Sequence, residues 1–350
     1  MQWTDVYVNA AAAWLGRKED VQVAVADGRY DAEESKDDDY LYARVAETEG
    51  PADMAVSAAK LALERSDVPT ADFDLVMHAS VAFQGLDHWA PASYIQGLTV
   101  GGRGMAVDVK QASNGGMASL ELAAAYLSAR ATPSAALLTT ADKYTLPGFD
   151  RYRSDKGIVR SDGATGLVLS RGAGTAVAKL LSTVVIGDAT HEGLYRGTGS
   201  WSEVSGAEGW PVDLRARRKE YLTDFGGDIM DIVKPITELQ QESLLTALAD
   251  AKVDSGDVAW FVFPNVGRAV QDWELRKSIG IDEPRTTWHW GRQVGHIGGG
   301  DQIAGLAYLL ESGSAQVGDR VVLSGVGAGF SFGCAVLEIL QTPAWSDSAS

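Results

Sequence analysis

The segment Val107-Asp-Val-Lys-Gln-Ala-Ser113-Asn-Gly-Gly-Met117 combines a nucleophilic side chain with a setting that can activate it. An apolar approach, Gly104-Met-Ala-Val-Asp-Val109, reads as a strand, and Ala118 to Ala129 reads as an alanine- and leucine-rich helix. A strand that breaks sharply into a helix lifts one side chain out of the sheet and aims helix N–H groups at it. That geometry suits a nucleophile whose attack creates negative charge. Ser113 occupies the turn. The same position suits an N-cap, whose hydroxyl accepts from the backbone two or three residues on.

Composition narrows what surrounds this turn. A chain of 350 residues suggests about two domains. No run of about 18 apolar residues occurs, and the N-terminus lacks a basic region followed by an apolar core. Neither a membrane span nor a leader is expected. Cys334 is the only cysteine, which excludes an internal disulfide and a cysteine metal cluster and fits the cytoplasm. The net charge of -17 argues against a nucleic-acid surface. The acidic run Asp31–Asp39 reads as a solvated loop. The basic patch Arg215-Ala-Arg217-Arg218-Lys219 reads either as a docking site for an acidic partner or as a solvated helix face.

The chain is also written twice. The apolar strand Asp74–Ala82 has a late counterpart in Val258–Asn265. Asn114-Gly-Gly, opening a helix that ends in Ala125-Tyr126-Leu127, matches His296-Ile-Gly-Gly-Gly, opening one that ends in Ala307-Tyr308-Leu309. The strands Ala135–Thr140 and Arg320–Ser324 follow, and glycine-interrupted strands, Gly163–Leu169 and Gly329–Leu337, close the halves. Strands alternating with helices imply helix-covered, largely parallel sheets. The expected fold is α/β, with duplicated βαβαβ halves, 1–174 and 175–350, in a five-layered α-β-α-β-α stack. Ser113 and His296 then occupy nearly equivalent places at the junction, where ligand pockets tend to form.

In its motifs the chain resembles the thiolase superfamily and, within it, ketoacyl-ACP synthase III. The resemblance rests on Asp-Val-Lys-Gln-Ala-Ser113-Asn-Gly-Gly, Ser161-Asp-Gly-Ala-Thr-Gly166, Trp260-Phe-Val-Phe-Pro264-Asn265 and Gly325-Val-Gly-Ala-Gly-Phe330, and it covers nearly the whole chain. It implies a thiolase-like fold. Three departures stand at the site: Ser113 replaces the family's nucleophilic cysteine, Pro264 its histidine after the late strand, and His296 its asparagine. The set that stabilises an enolate during decarboxylation is therefore absent. Its replacement is coherent: a hydroxyl needs a base, imidazole can take and return the proton, and a carboxylate can fix the imidazole tautomer. Ser113, His296 and Asp301 are the expected nucleophile, base and orienting acid. Asp301 at a helix start is also a routine favourable charge. The resemblance further implies an oxyanion hole from the backbone N–H groups of Ser113 and Ala328.

It also implies an acyl pocket. The family's bulky residue before the position of Pro91 reaches across a dimer and limits acyl size; here that residue is Ala90, flanked by His88 and Trp89, which leaves room for a larger, aromatic group. The loop 143–160, with Tyr144, Phe149 and Tyr152, either lines the entrance or packs at a dimer contact. Of the other histidines, His78 reads as a satisfied core residue, His289 as part of a packed strand and His191 as a surface residue. No metal spacing, Walker loop or dinucleotide motif occurs, so no cofactor is expected.

Three functions fit. The first is an acyltransferase that carries an acyl group, as for aromatic polyketides in antibiotic biosynthesis, from an acyl carrier protein or CoA through a Ser113 ester to an amine or alcohol. The second is a starter-unit condensing enzyme using malonyl carrier protein, with Asn265 as a substitute donor. The third is a degenerate, non-catalytic partner subunit. Carrier docking is assigned to Arg215, Arg217, Arg218 and Arg268. A homodimer is expected through strands near 105–110 and 135–140.

Overall fold

The computed structural model describes residues 1–347 except 173, 205, 207, 208 and 229; the parts of the two expected halves that fall on these positions and on 348–350 lie outside the described residues. The first half runs β1 (Val6–Leu15), β2 (Arg17–Asp20), α1 (Val21–Ala26), α2 (Ala32–Asp38), β3 (Tyr42–Val45), α3 (Pro51–Glu64), β4 (Phe73–Ala79), α4 (Pro91–Leu98), β5 (Met105–Val109), α5 (Gly115–Ser128), β6 (Ala135–Asp142) and β7 (Gly163–Arg171). The second runs β8 (Ala178–Gly187), α6 (Gly193–Arg196), α7 (Leu214–Phe225), α8 (Met230–Ala251), β9 (Val258–Val262), α9 (Trp273–Ser278), α10 (Trp288–Gly291), α11 (Asp301–Glu311), β10 (Arg320–Gly327) and β11 (Ser331–Ile339). Among the described residues no helix is long and apolar enough to cross a membrane.

The strands follow the order β5-β4-β6-β7-β1-β8-β11-β10-β9. The link between β1 and β8 is two residue pairs, Tyr7 with Lys179 and Val8 with Ala178, so the series divides there into two sheets. In the first, β5, β4 and β6 are parallel, joined by helical crossovers, while β7 and β1 run antiparallel. In the second, β9 and β10 are parallel and β11 and β8 antiparallel. The helices α3 and α4 cover the outside of the first sheet and α8 the outside of the second, whereas α5 and α11 each touch strands of both. The five layers implied by the repeat are thus present.

Sequence explains who goes where. Helices α5 and α11 are apolar nearly all round, as a helix between two sheets must be. Met117, Leu120, Leu127, Leu306, Leu309 and Leu310 meet Leu138, Leu167, Leu323 and Leu337 in one cluster. On the outer face α3 presents Ala55, Ala58, Ala59 and Ala62, and Gly166 of β7 lies so close beneath that a Cβ would stand 2.6 Å from the Ala58 carbonyl oxygen. The same economy governs the middle layer: a Cβ on Gly116 would stand 2.3 Å from the carbonyl oxygen of Gly299. The turns that open α5 and α11 therefore touch backbone to backbone.

Three sequence expectations are corrected. The acidic run is largely helix α2, not a loop: Asp38 is buried and accepts from the Tyr30 hydroxyl, Glu34 pairs with Arg215, and Asp39 pairs with Arg268 and Arg292. His289 lies on the short helix α10, not a strand, because the chain closes a helical turn from Thr287 to Gly291. Segment 135–140 cannot meet a partner subunit, since β6 lies between β4 and β7 and is buried throughout. Strand β5, by contrast, is the last in its sheet.

Asp142, at the end of β6, ties the strands to the middle layer. Its Oδ1 accepts from the N–H groups of Val81 and Ala82 at 2.7 and 2.6 Å. Its Oδ2 lies against the Gly298–Gly299 turn, where a Cβ on Gly298 would come within 1.9 Å. Burial pushes this carboxyl up to about 7, against the opposing pull of those N–H groups and of Lys110.

Two outcomes follow. Gly116→Ala forces the two turns apart and should lower stability by about 1–3 kcal/mol, read as a drop in melting temperature; unchanged melting would show that the turns separate freely. Between the ordinary value of 3.8 and about 7, the folded chain holds a proton on Asp142 that the unfolded chain has released. Stability therefore falls as pH rises through that window, by about 1.4 kcal/mol per pH unit at most. Asp142→Asn should remove this slope in urea unfolding compared at about pH 5 and pH 7, and a slope that survives the substitution would contradict the assignment.

Candidate active site

Ser113 sits in the 3₁₀ turn Ala112–Asn114 between β5 and α5. Ala112 has φ +47°, a left-handed conformation that a residue with a Cβ adopts at a cost and that turns the chain sharply out of the strand. The helix starts at Gly115, earlier than its alanines suggest, with Asn114 at the cap position and no side-chain cap bond. The Ser113 hydroxyl is not capping the helix either: Oγ lies 2.8 Å from Nε2 of His296.

His296 comes from the other half, yet the first half holds its backbone. Its N–H donates to Val159 O and its carbonyl accepts from Ser161 N, both at 2.9 Å, so that it pairs with Arg160 as a one-residue parallel bridge. Its Nδ1 lies 2.5 Å from Oδ2 of Asp301, which is fully buried at the start of α11. The Asp301 carboxyl also accepts from Asn265 N at 2.7 Å and Ile297 N at 2.9 Å. An ionised carboxyl only accepts, so the imidazole proton sits on Nδ1 and Nε2 is left to accept the serine proton. Asp301 thereby serves the imidazole while also lying where an acid suits the helix dipole.

The other two expected contributors divide. Ala328 lies in the tight turn between β10 and β11, closed by Phe330 N donating to Gly327 O at 2.9 Å, with Gly329 and Phe330 both at positive φ. Gly327 presses on the Ser113 turn, since its Cβ would stand 2.6 Å from Gln111 O and 3.0 Å from the Asn114 Cβ. Ala328 therefore neighbours Ser113, and no hydrogen bond among the described residues uses its N–H. Asn265 has one of its two amide N–H groups committed, since Nδ2 donates to Gly295 O at 3.1 Å, and beside it Pro264 is buried with no donor to offer.

Of the expected pocket residues, His88 and Ala90 are exposed and Trp89 is half-buried; they lie on the segment that leads into α4, with Trp89 packed edge-on to Tyr94 at 5.7 Å. No described contact joins them to Ser113 or His296 within one chain. Phe149 is closer to the relay: it packs on Tyr144 at 5.2 Å, and both rings lie against the guanidinium of Arg160. The expected docking arginines make their contacts within their own chain. Arg215 grips Glu34, Arg218 reaches Asp155, Arg268 bridges Asp39 and Glu283, and Arg217 donates to Tyr195 O. His78 is a core residue with both ring nitrogens matched, to Thr139 and Gln84, and burial lowers it to about 4. His191 is half-buried against Tyr221 and Phe225.

Sequence reasoning missed Arg160. The available signal was a charge inside the apolar approach Ile158-Val159-Arg160 to the Ser161-Asp-Gly motif.

With this geometry in hand, the chain can be set beside known proteins. Residues 248–339 match the family model described as 3-oxoacyl-[acyl-carrier-protein (ACP)] synthase III C terminal. The β-ketoacyl-[acyl-carrier-protein] synthase III of Rhodospirillum centenum is 26% identical over 299 residues, covering 83% of this chain and 85% of that protein. The structure of ChlB3, described as an acyltransferase, superimposes with a TM-score of 0.89 at 30% identity, covering 98% of this chain and 100% of the other. The 3-oxoacyl-(acyl carrier protein) synthase III FabH of Pseudomonas aeruginosa PAO1 shares the fold with a TM-score of 0.76 at 21% identity, over 97% and 99% of the two chains. The 30% identity with ChlB3 over 98% of the chain, together with the synthase III match, makes this chain a member of the ketoacyl-ACP synthase III-like group of the thiolase superfamily and an acyl-transferring or condensing enzyme.

Proposed function

We propose that the chain is a serine acyltransferase that moves an acyl group from a carrier-protein or CoA thioester to an amine or hydroxyl of a second substrate. The observation that carries this reading is the hydrogen-bonded line Ser113 Oγ, His296 Nε2 and Nδ1, Asp301 Oδ2, with separations of 2.8 and 2.5 Å. His296 takes the Ser113 proton as Oγ attacks the thioester carbonyl. The tetrahedral oxyanion is met by the N–H groups of Ser113 and Ala328. The thiolate leaves with the proton from His296, and an ester remains on Ser113. His296 then deprotonates the incoming amine or alcohol, and collapse returns the proton to Ser113. Asp301 holds Nδ1 and steadies the imidazolium.

Condensation with malonyl carrier protein is the weaker reading. It needs donors for an enolate, and the two side chains next in line offer little: Pro264 has none and Asn265 commits one of its two amide N–H groups to Gly295. Nucleophilic transfer to nitrogen or oxygen needs no such donors. The similarity to ChlB3, an acyltransferase by its description, points the same way.

The donor and assembly belong to the same proposal. Strand β5 ends its sheet, and Phe83, Leu86, Leu98 and Met105 on and near that side are exposed. An uncovered strand edge with an apolar rim fits pairing with a second copy. A homodimer would bring the partner's His88–Ala90 segment toward the acyl group, which a single chain does not do. The acyl group is then larger than a short aliphatic one, an aromatic polyketide unit of a natural product fitting this reading, and the chemistry suits the cytoplasm.

Incubation with an acyl thioester should add one acyl mass to the intact protein. Ser113→Ala should abolish the adduct, and an adduct that persists sinks the nucleophile assignment. His296→Ala should slow acylation by about 10²–10⁴-fold. Carbon dioxide released on adding malonyl carrier protein to the acylated enzyme would establish condensation instead. Charge reversal at Arg217 should slow transfer from carrier protein more than transfer from a small thioester; equal slowing would remove the docking role.

A further inference from the structure

Beside the relay the chain buries more hydrogen-bonding capacity than it uses. Arg160, the backbone partner of His296, is 6% exposed. Its Nη2 donates to Asp155 at 2.7 Å, while Nε and Nη1 are buried with no hydrogen-bond partner. The guanidinium lies 5.6 and 5.8 Å from the ring centres of Tyr144 and Phe149. The buried Tyr144 hydroxyl faces this guanidinium, whose charge pulls against the effect of burial on the phenol. A third ring, Tyr195, stands against Phe330 of the Ala328 turn, with Arg218 over its face at 4.9 Å. The cluster thus reaches from the His296 bridge toward the turn that carries Ala328. Arg160 and Arg218 share one carboxylate, Asp155, at 2.7 Å each, so two cations face one anion.

Unused donors on a buried guanidinium are rare in native proteins and mark a missing partner. Salt bridging to Asp155 accounts for one nitrogen of Arg160 and leaves the other two unexplained. Two aromatic rings, Tyr144 and Phe149, flank the guanidinium and suit a flat group beside it, and the uneven charge favours an electron-rich atom.

We propose that Arg160 and Tyr144 form a subsite for an oxygen carried on the transferred acyl group, a hydroxyl or carboxylate on an aromatic ring, which accepts from the guanidinium and exchanges a hydrogen bond with the phenol. This subsite rests on the acylation of Ser113 proposed above and selects the donor by what its ring bears.

The test uses the intact protein with N-acetylcysteamine thioesters of benzoic, 2-, 3- and 4-hydroxybenzoic and 3-carboxybenzoic acids. Amide analogues of each report binding by calorimetry without turnover. At least one oxygenated analogue should bind about tenfold more tightly than the benzoyl one, the level of discrimination expected of a hydrogen bond to a charged group. The hydroxyl and carboxyl arms identify which oxygen is taken. Arg160→Met should bring the ratio to within about twofold, and Tyr144→Phe, which keeps the ring, should lower it partway. Equal binding of all analogues to the unaltered protein overturns the subsite. So does an Arg160→Met protein that keeps the ratio or loses every analogue alike. Should Arg160→Met not fold, Arg160→Lys and Tyr144→Phe carry the same ratio test. Absence of an acyl adduct by intact mass, with selective amide binding retained, would overturn the catalytic reading and leave the subsite standing.

Discussion

The architecture depends on a single close approach: the peptide of Gly116 against that of Gly299. Where two helices begin within touching distance of each other's backbone, no side chain can intervene. That contact draws the starts of α5 and α11 together and puts the residues just before them, Ser113 and His296, at hydrogen-bond distance. The surrounding glycines serve the same end. Cβ atoms at Gly325 and Gly333 would stand 2.8 and 2.5 Å from Oδ1 of Asn114, so β10 and β11 yield room for the nucleophile turn to sit down on them.

The chemistry is then a matter of which side chains the turns carry. Relatives of this fold are expected, from the resemblance, to stabilise an enolate with side chains that this chain has replaced by Pro264 and His296. The replacement converts the loop after β9 from a source of donors into scaffolding. Asn265 now gives its backbone N–H to Asp301 and its amide to Gly295, and its carbonyl accepts from the Tyr40 hydroxyl at 2.7 Å. A buried carboxylate satisfied by two backbone N–H groups and one imidazole needs no further counter-charge.

Much of this was legible in the sequence because the fold is periodic and repeated. The duplicated Gly-rich helix starts placed Ser113 and His296 as equivalents, and the strand runs predicted both sheets. Other features were not legible for physical reasons. Acidic runs look alike whether solvated or paired, and only the fold brings Glu34 to Arg215 and Asp39 to Arg268. The same pairing shows why a basic patch in a sequence is not yet a basic surface. Whether a strand such as β6 is interior depends on what lies on either side of it in space, which hydrophobicity alone does not report. Arg160 was missed because its meaning lies in bonds it does not make.

The attachment of His296 has a functional corollary. Its imidazole belongs to one lobe, but its peptide is strung on Val159 and Ser161 of the other. Strand to strand, the lobes are otherwise joined by the two pairs between β1 and β8 and by the bridge of Gln2 to Ser182. On the proposed relay, any transient slip along that seam would interrupt proton passage while both lobes are still fully formed. Thermal inactivation should therefore run ahead of melting, and a small molecule that wedges the seam would silence the enzyme without unfolding it.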